Sequence, residues 1–404
     1  EARDRDVFRR LSVKKSRRRM IILSLLIALL GVVQGEKLLF AQMIWRHGLR
    51  TPIGTYTNDP YNEDFFGVPD GELLETGMEQ HFIRGQQLRK IYVEDHKLIS
   101  AKYSRYETYV RSADFERCSQ SALANIAGFY ADSPTYPTGV SNWPSSWTPI
   151  PIHTVPHDED HILEGFDHIC PKLTKLEDAR RDRKEFQNFL ASKWPLFYTI
   201  NANSGDPADY SFMTLAGMYQ SLEIEKSFNL TFPDWVTDEF FNELEAAWRE
   251  GHDYLSGDAG FGLPMDPEMV KLASGFLFKD WMDNIDDVIN GNSTLKYYAY
   301  SGHDIMMNSI LFGLGVKREL VGSGNADYAS TIVCELWERD GQHFIKLLLS
   351  PDIDSDFEPF TRKLTGCGSD LCLLTDFKNF MKPFIADDVK ICDGEEDFDR
   401  ISSM

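Results

Sequence analysis

Residues 45–52 read WRHGLRTP, which sets His47 directly after Arg46 and three residues before Arg50 at the end of an apolar run. Permanent cations beside an imidazole disfavour its protonated form. His47 is therefore placed to stay neutral, with a ring-nitrogen lone pair available for attack. Arginine is also the side chain that meets a phosphoryl group with planar, paired donors. Together these residues suit attack on the phosphorus of a phosphate monoester, a covalent phosphoryl-histidine separating displacement from hydrolysis. Two other stretches close on charged groups of the same kind. "ETYVRS" ends near Arg111, and "YAYSGHD" ends in His303 and Asp304. The six residues describe an anion site with a nucleophile, His47, and an acid, Asp304.

Such groups meet only if the elements that carry them end at a common edge. "EKLLFAQMIW", "ETYVRS" and "LKYYAYSG" read as short, mostly buried strands. "LLETGMEQHFIRGQQLRKIYVED" has helical spacing, with Leu74, Met78, Phe82, Gly85, Leu88 and Tyr92 on one predicted face. A second predicted helix carries Phe115, Cys118, Ala122, Ile126 and Phe129 on one face. The order strand–helix–strand–helix predicts an α/β fold, its central mixed and mostly parallel sheet flanked by helices. In such sheets ligands bind beyond the carboxyl ends of the strands. Gly48 is expected to let the backbone turn there so that neighbouring side chains converge. "STIVCELWER" and "QHFIKLLLS" predict a hairpin across "DGQ", and the proline-rich "TPIPIHTV" predicts an edge strand. Residues 157–265 are polar and helix-rich, and read as a smaller helical domain inserted into the first. The expected division is 1–35 leader, 36–156 first part of the α/β domain, 157–265 helical insertion, and 266–404 second part with a C-terminal segment.

The text of the motifs is specific. "RHGLRTP" with a distant "SGHD", together with "LLETGMEQH", "YVRSADFER" and "PIPIHTVP", resembles the histidine acid phosphatase family, in its prostatic and lysosomal branch. The likeness runs from about Lys37 to Cys392. It implies a phosphoglycerate mutase-like fold, His47 as nucleophile and Asp304 as proton donor. Arg46, Arg50, Arg111 and His303 would hold the phosphoryl oxygens. Arg117 is read as solvated or structural, as are His81, His153, His157, His161 and His168. The pair "HD" favours general acid phosphatases over inositol polyphosphate phosphatases. The resemblance also implies disulfides Cys170–Cys392 and Cys367–Cys372. Its third bridge is missing, since Ile224 and Thr331 stand where two cysteines are expected. Cys118 and Cys334 are extra, and either buried free thiols or a novel bridge would account for them. His153 lies on the edge strand through which relatives pair, which leaves a homodimer open.

The net charge of the 404 residues is −21. It divides into +6 over residues 1–20 and −27 over residues 36–404. A body this acidic repels nucleic acid and anionic lipid, and neither is expected as a partner. The basic segment precedes an apolar run from Ile21 to Val33, too short to span a bilayer and suited to a signal peptide cleaved near Glu36. Met20 is the expected natural start, and an uncleaved signal anchor is the alternative. No stable membrane span is expected in the mature chain. Six cysteines and the sequons at Asn229 and Asn292 fit a secretory route to a secreted or lysosomal (lumenal) location. The site brings its own cations and shows no metal-ligand spacing, so neither metal nor cofactor is expected. The expected partners are small phosphate monoesters. A catalytically inactive, secreted phospholigand-binding or antigenic protein on the same fold is the alternative. Retention of both His47 and Asp304 argues against it.

Overall fold

The computed structural model describes residues 35–144, 147–164 and 169–393. The basic segment, the apolar run and His168 lie outside the described residues. Seven strands form one sheet: Lys37–Arg46 (β1), Thr108–Ser112 (β2), Tyr297–Gly302 (β3), Thr331–Arg339 (β4), Gln342–Ser350 (β5), Glu358–Pro359 (β6) and Cys372–Leu373 (β7). They run in the order β2–β3–β1–β4–β5–β6, with β7 beside β5. The sheet is mixed, and its parallel part is confined to β2, β3 and β1. β4 to β7 add by antiparallel pairing. The β4–β5 hairpin turns through Asp340 and Gly341, both with positive φ (52° and 74°), the backbone that an Asp-Gly pair favours in two-residue turns.

β1 shows why the sheet is covered on both faces. Phe40 and Ile44 point into one apolar cluster, and Ala41, Met43 and Trp45 into the other. That is the period-two alternation of a strand. Each large apolar side chain fully buried this way contributes about 1.5–3 kcal/mol. The helices Glu75–Arg89 (α1) and Glu116–Phe129 (α2) cover the second face. The helices Pro267–Ile289 (α8) and Asp304–Gly313 (α9) cover the first. Between them in sequence lie Pro171–Arg181 (α3), Lys184–Ser192 (α4), Trp194–Asn203 (α5), Phe212–Ser227 (α6) and Asp238–Leu255 (α7). α4 to α7 build an aromatic-rich core of their own, around Phe186, Phe197, Tyr219, Phe241 and Tyr254.

Two expectations are corrected. α1 does not bury Met78 and Phe82, which are 39% and 38% exposed. It turns Gly77, His81, Arg84 and Leu88 inward instead. The proline-rich segment forms no strand beyond one parallel bridge, Arg111 to His153. Ser112 N–H donates to the His153 carbonyl (2.8 Å) and His153 N–H to that of Val110 (3.0 Å). Pro149, Pro151 and Pro156 have no N–H to extend the ladder.

Disulfides join Cys170 to Cys392 and Cys367 to Cys372. Cys118 and Cys334 are buried free thiols, not a bridge. Ile224 and Thr331, where the third family bridge is absent, are buried. Asn229 and Asn292 are exposed. No described helix is long and apolar enough to cross a membrane.

Candidate active site

The parallel register sets the site. Arg46 lies opposite Gly302, and Ser112 lies opposite Ser301, so β1, β2 and β3 end together. One residue on, His47 N–H donates to the Gly302 carbonyl at 3.0 Å, and His303 follows Gly302. The two imidazoles then meet edge-on, with ring centroids 5.5 Å apart. The turn after β1 is fixed from behind by α1 and α2. Gly48 N–H donates to Ser121 Oγ (3.1 Å) and Leu49 N–H to Gln80 Oε1 (2.9 Å). Gly48 has no positive φ. Its smallness serves close approach instead, because a Cβ there would lie 2.3 Å from the Gly77 carbonyl oxygen.

Arg46, His47, Arg50, Arg117, His303 and Asp304 line one cavity of about 1010 Å³, walled on its far side by α6. His47 is buried, and its Nδ1 lies 2.8 Å from the Gly48 carbonyl oxygen. Only an N–H can satisfy that oxygen, so the proton sits on Nδ1 and the lone pair on Nε2. Burial, then Arg46, Arg50, His303 and Arg117, hold its pKa well below the ordinary value. These neighbours disfavour the imidazolium, the sense expected of two adjacent arginines. His81 supports the same strand end, its Nε2 3.0 Å from the Arg46 carbonyl oxygen.

Arg46 is clamped on three sides. Its Nη1 donates to the Ala326 carbonyl (2.7 Å), its Nη2 pairs with Asp304 Oδ2 (2.8 Å), and its guanidinium lies 4.0 Å from the Tyr328 ring centre. Arg50 donates from Nη1 to the Thr51 carbonyl (2.7 Å). Asp304 opens α9, and it accepts from Asn325 Nδ2 (2.8 Å) and from the Ile305 N–H (2.8 Å). Burial raises its carboxyl, but Arg46, His252, His303 and Arg50 outweigh that and hold it below the ordinary value. His303 is pushed down to about 3, first by burial and then by Arg117.

The structure does not bring Arg111 to the cavity. Its Nη2 is paired with Asp160 Oδ1 at 2.5 Å, and it is absent from the cavity wall. Arg117, expected to be solvated or structural, lines the cavity from the first turn of α2, its guanidinium 4.5 Å from the Phe115 ring centre. Its signal was present in the same motif, six residues after Arg111. Tyr328, Asn325 and His252 also reach the cavity, and nothing in their local sequence marks them.

Residues 37–350 match the histidine phosphatase superfamily (branch 2). The chain belongs to that superfamily and is a phosphatase. Among its relatives is the lysosomal acid phosphatase of Xenopus laevis, 30% identical over 91% of this chain and 81% of that protein. The prostatic acid phosphatase of Homo sapiens is 30% identical over 88% of each. The phytase of Klebsiella sp. ASR1 superposes with a TM-score of 0.61 at 16% identity, covering 88% of this chain and 99% of its own. That likeness shows the fold alone.

Proposed function

We propose that the protein is an acid phosphatase that hydrolyses small phosphate monoesters through a phosphohistidine. His47 Nε2 attacks phosphorus, and the ester oxygen leaves with the proton of Asp304. Water then attacks the phosphohistidine, returning a proton to Asp304 and releasing inorganic phosphate and neutral His47. Arg46, Arg50, Arg117 and His303 hold the phosphoryl oxygens. The observation that carries this reading is the buried His47, its Nδ1 2.8 Å from the Gly48 carbonyl oxygen, facing a cavity that three arginines enter. Against burial, Arg46, His252, His303 and Arg50 hold the Asp304 carboxyl below its ordinary value. A bound phosphoryl group adds negative charge beside it and favours the protonated acid. Activity is therefore highest at acidic pH, on the order of 4–6, and falls as the acid is lost. The segment 157–265 acts as a cap that walls the leaving-group side. Two disulfides, and relatives named as lysosomal and prostatic acid phosphatases, support a lumenal or secreted location.

The test is to trap the intermediate with a phosphate-labelled substrate under an alkaline quench, since phosphohistidine is acid-labile. Label is expected on His47, with His47→Ala folded and without turnover. Label on any other residue would refute the assignment.

A further inference from the structure

Behind His303 sits a carboxyl group that the reaction above does not use. Glu164 is fully buried, and neither of its carboxyl oxygens has a hydrogen-bond partner among the described residues. Its Oε1 lies 3.8 Å from His303 Nε2, long for a hydrogen bond but within reach of an ion pair. Separations of this kind tighten when a substrate is bound. A buried carboxyl without hydrogen-bond partners is costly to keep, so its presence at this spot calls for a use.

The turn that presents Glu164 is itself secured. Asp160 Oδ1 accepts the N–H groups of Ile162 (2.9 Å) and Leu163 (3.1 Å), and the Asp160 carbonyl accepts that of Glu164 (3.0 Å). Arg111 anchors the same oxygen. The arginine that fails to reach the cavity thus fixes the segment that lies behind it.

We propose that Glu164 is a positioning residue that stores a proton for His303 and passes it over when a phosphoryl group arrives. This rests on the reading of His303 as a phosphoryl ligand. Before a phosphoryl group binds, the proton is on Glu164. Burial and the nearby Asp160 raise its carboxyl to about 8, a trend that Asp114 reinforces and Arg117 opposes. Burial first, then Arg117, Arg50 and Arg46, keep His303 neutral against the pull of Asp304, and Cys118 Sγ packs 3.6 Å from its Nε2. A bound phosphate adds the negative charge that reverses this preference. The proton then moves from Oε1 to Nε2, leaving a carboxylate beside an imidazolium. The pair carries one proton before and after, so the site gains a cation without drawing a proton from solvent.

The consequence is a specific pH signature. In Glu164→Gln the amide copies the protonated carboxyl in shape and charge, which favours folding, but it has no proton to give. His303 must then take its proton from water, and this becomes harder as pH rises. The experiment is binding of inorganic phosphate to the wild type, Glu164→Gln, His303→Ala and the double variant between pH 5 and 7. Titration of the phosphate itself and of Asp304 cancels in the ratio of wild type to Glu164→Gln. That ratio should widen with pH, by up to about tenfold per unit. In the His303→Ala background, Glu164→Gln should have no further effect. A ratio that stays flat with pH would overturn the proposal and leave Glu164 as packing. If His303→Ala bound phosphate normally, the underlying reading of the site would fall as well. Should Glu164→Gln not fold, 15N-histidine spectra of the phosphate-bound wild type decide the matter. His303 doubly protonated at pH 6 supports the transfer, and a neutral ring overturns it.

Discussion

Arg111 and Arg117 stand six residues apart and do different work. Arg117 borders the cavity and lowers the pKa of both histidines. Arg111 is held by a fully buried carboxylate away from the cavity. Arg117→Ala should therefore raise KM for p-nitrophenyl phosphate by about tenfold to a hundredfold, the usual worth of one charge-assisted contact. Its melting temperature should scarcely move. Arg111→Ala leaves Asp160 buried and unpaired, at a cost on the order of 3 kcal/mol, so it should lower the melting temperature by several degrees. Its KM at pH 5 should stay within about threefold of wild type. Steady-state kinetics beside thermal unfolding separates the two, and the opposite pattern would return Arg111 to the phosphoryl group. The motif text contains both arginines, and the rule that ligands lie beyond strand ends favoured the one on the strand. Arg117 sits in the first turn of a helix aimed at the same edge, a placement only the packing of α2 settles. Glu164 carries no signal at all, because its position depends on a turn closed by Asp160.

At the scale of elements, β1 was legible as a short, mostly apolar run because both of its faces are covered. The face of α1 was not. Met78 and Phe82 are the larger apolar residues, yet the contact that matters is made by a glycine. Gly77 and Gly48 bring two backbones together, and a Cβ on Gly77 would lie 2.2 Å from the Leu49 carbonyl oxygen. Neither neighbour is a flexible side chain that can swing aside. Gly48→Ala must therefore shift the turn after β1, and the His47 ring with it. Misplacement of a reacting group by about 1 Å costs on the order of a hundredfold in rate. We expect kcat/KM for Gly48→Ala to fall by about that factor while the circular dichroism spectrum stays native. A variant within about fivefold of wild type would show that the helix gives way instead.

At the scale of the whole molecule, the acidic chain buries several carboxyls in surroundings that favour their neutral form. Glu164 and Glu225 are buried with carboxyls raised to about 8, and Asp59 to about 6, burial being the main cause in each. A carboxyl raised in the folded state favours folding at pH below its unfolded value. That contribution is lost as pH climbs from about 4 through the folded value. Buried His47, His81 and His303, held below the ordinary imidazole value, act in the opposite sense as pH falls. The carboxyl contribution is therefore read as the difference between wild type and Glu225→Gln, in which the histidines cancel. The melting temperature of Glu225→Gln, which cannot ionise, should gain on that of wild type as pH rises from 5 to 8. A constant difference across that range would show that Glu225 finds a partner or water.

The bridge from Cys170 to Cys392 spans 222 positions of the chain, and with them the whole of α3 to α9. Any single peptide cut inside that span leaves both pieces on one molecule, because each end is still tied through sulfur. In a compartment rich in proteases, a nick in the 157–265 segment between Cys170 and α8 would not shed the half that carries Asp304 from the half that carries His47. Two bands would separate on a gel only after reduction, from a sample that had migrated as one.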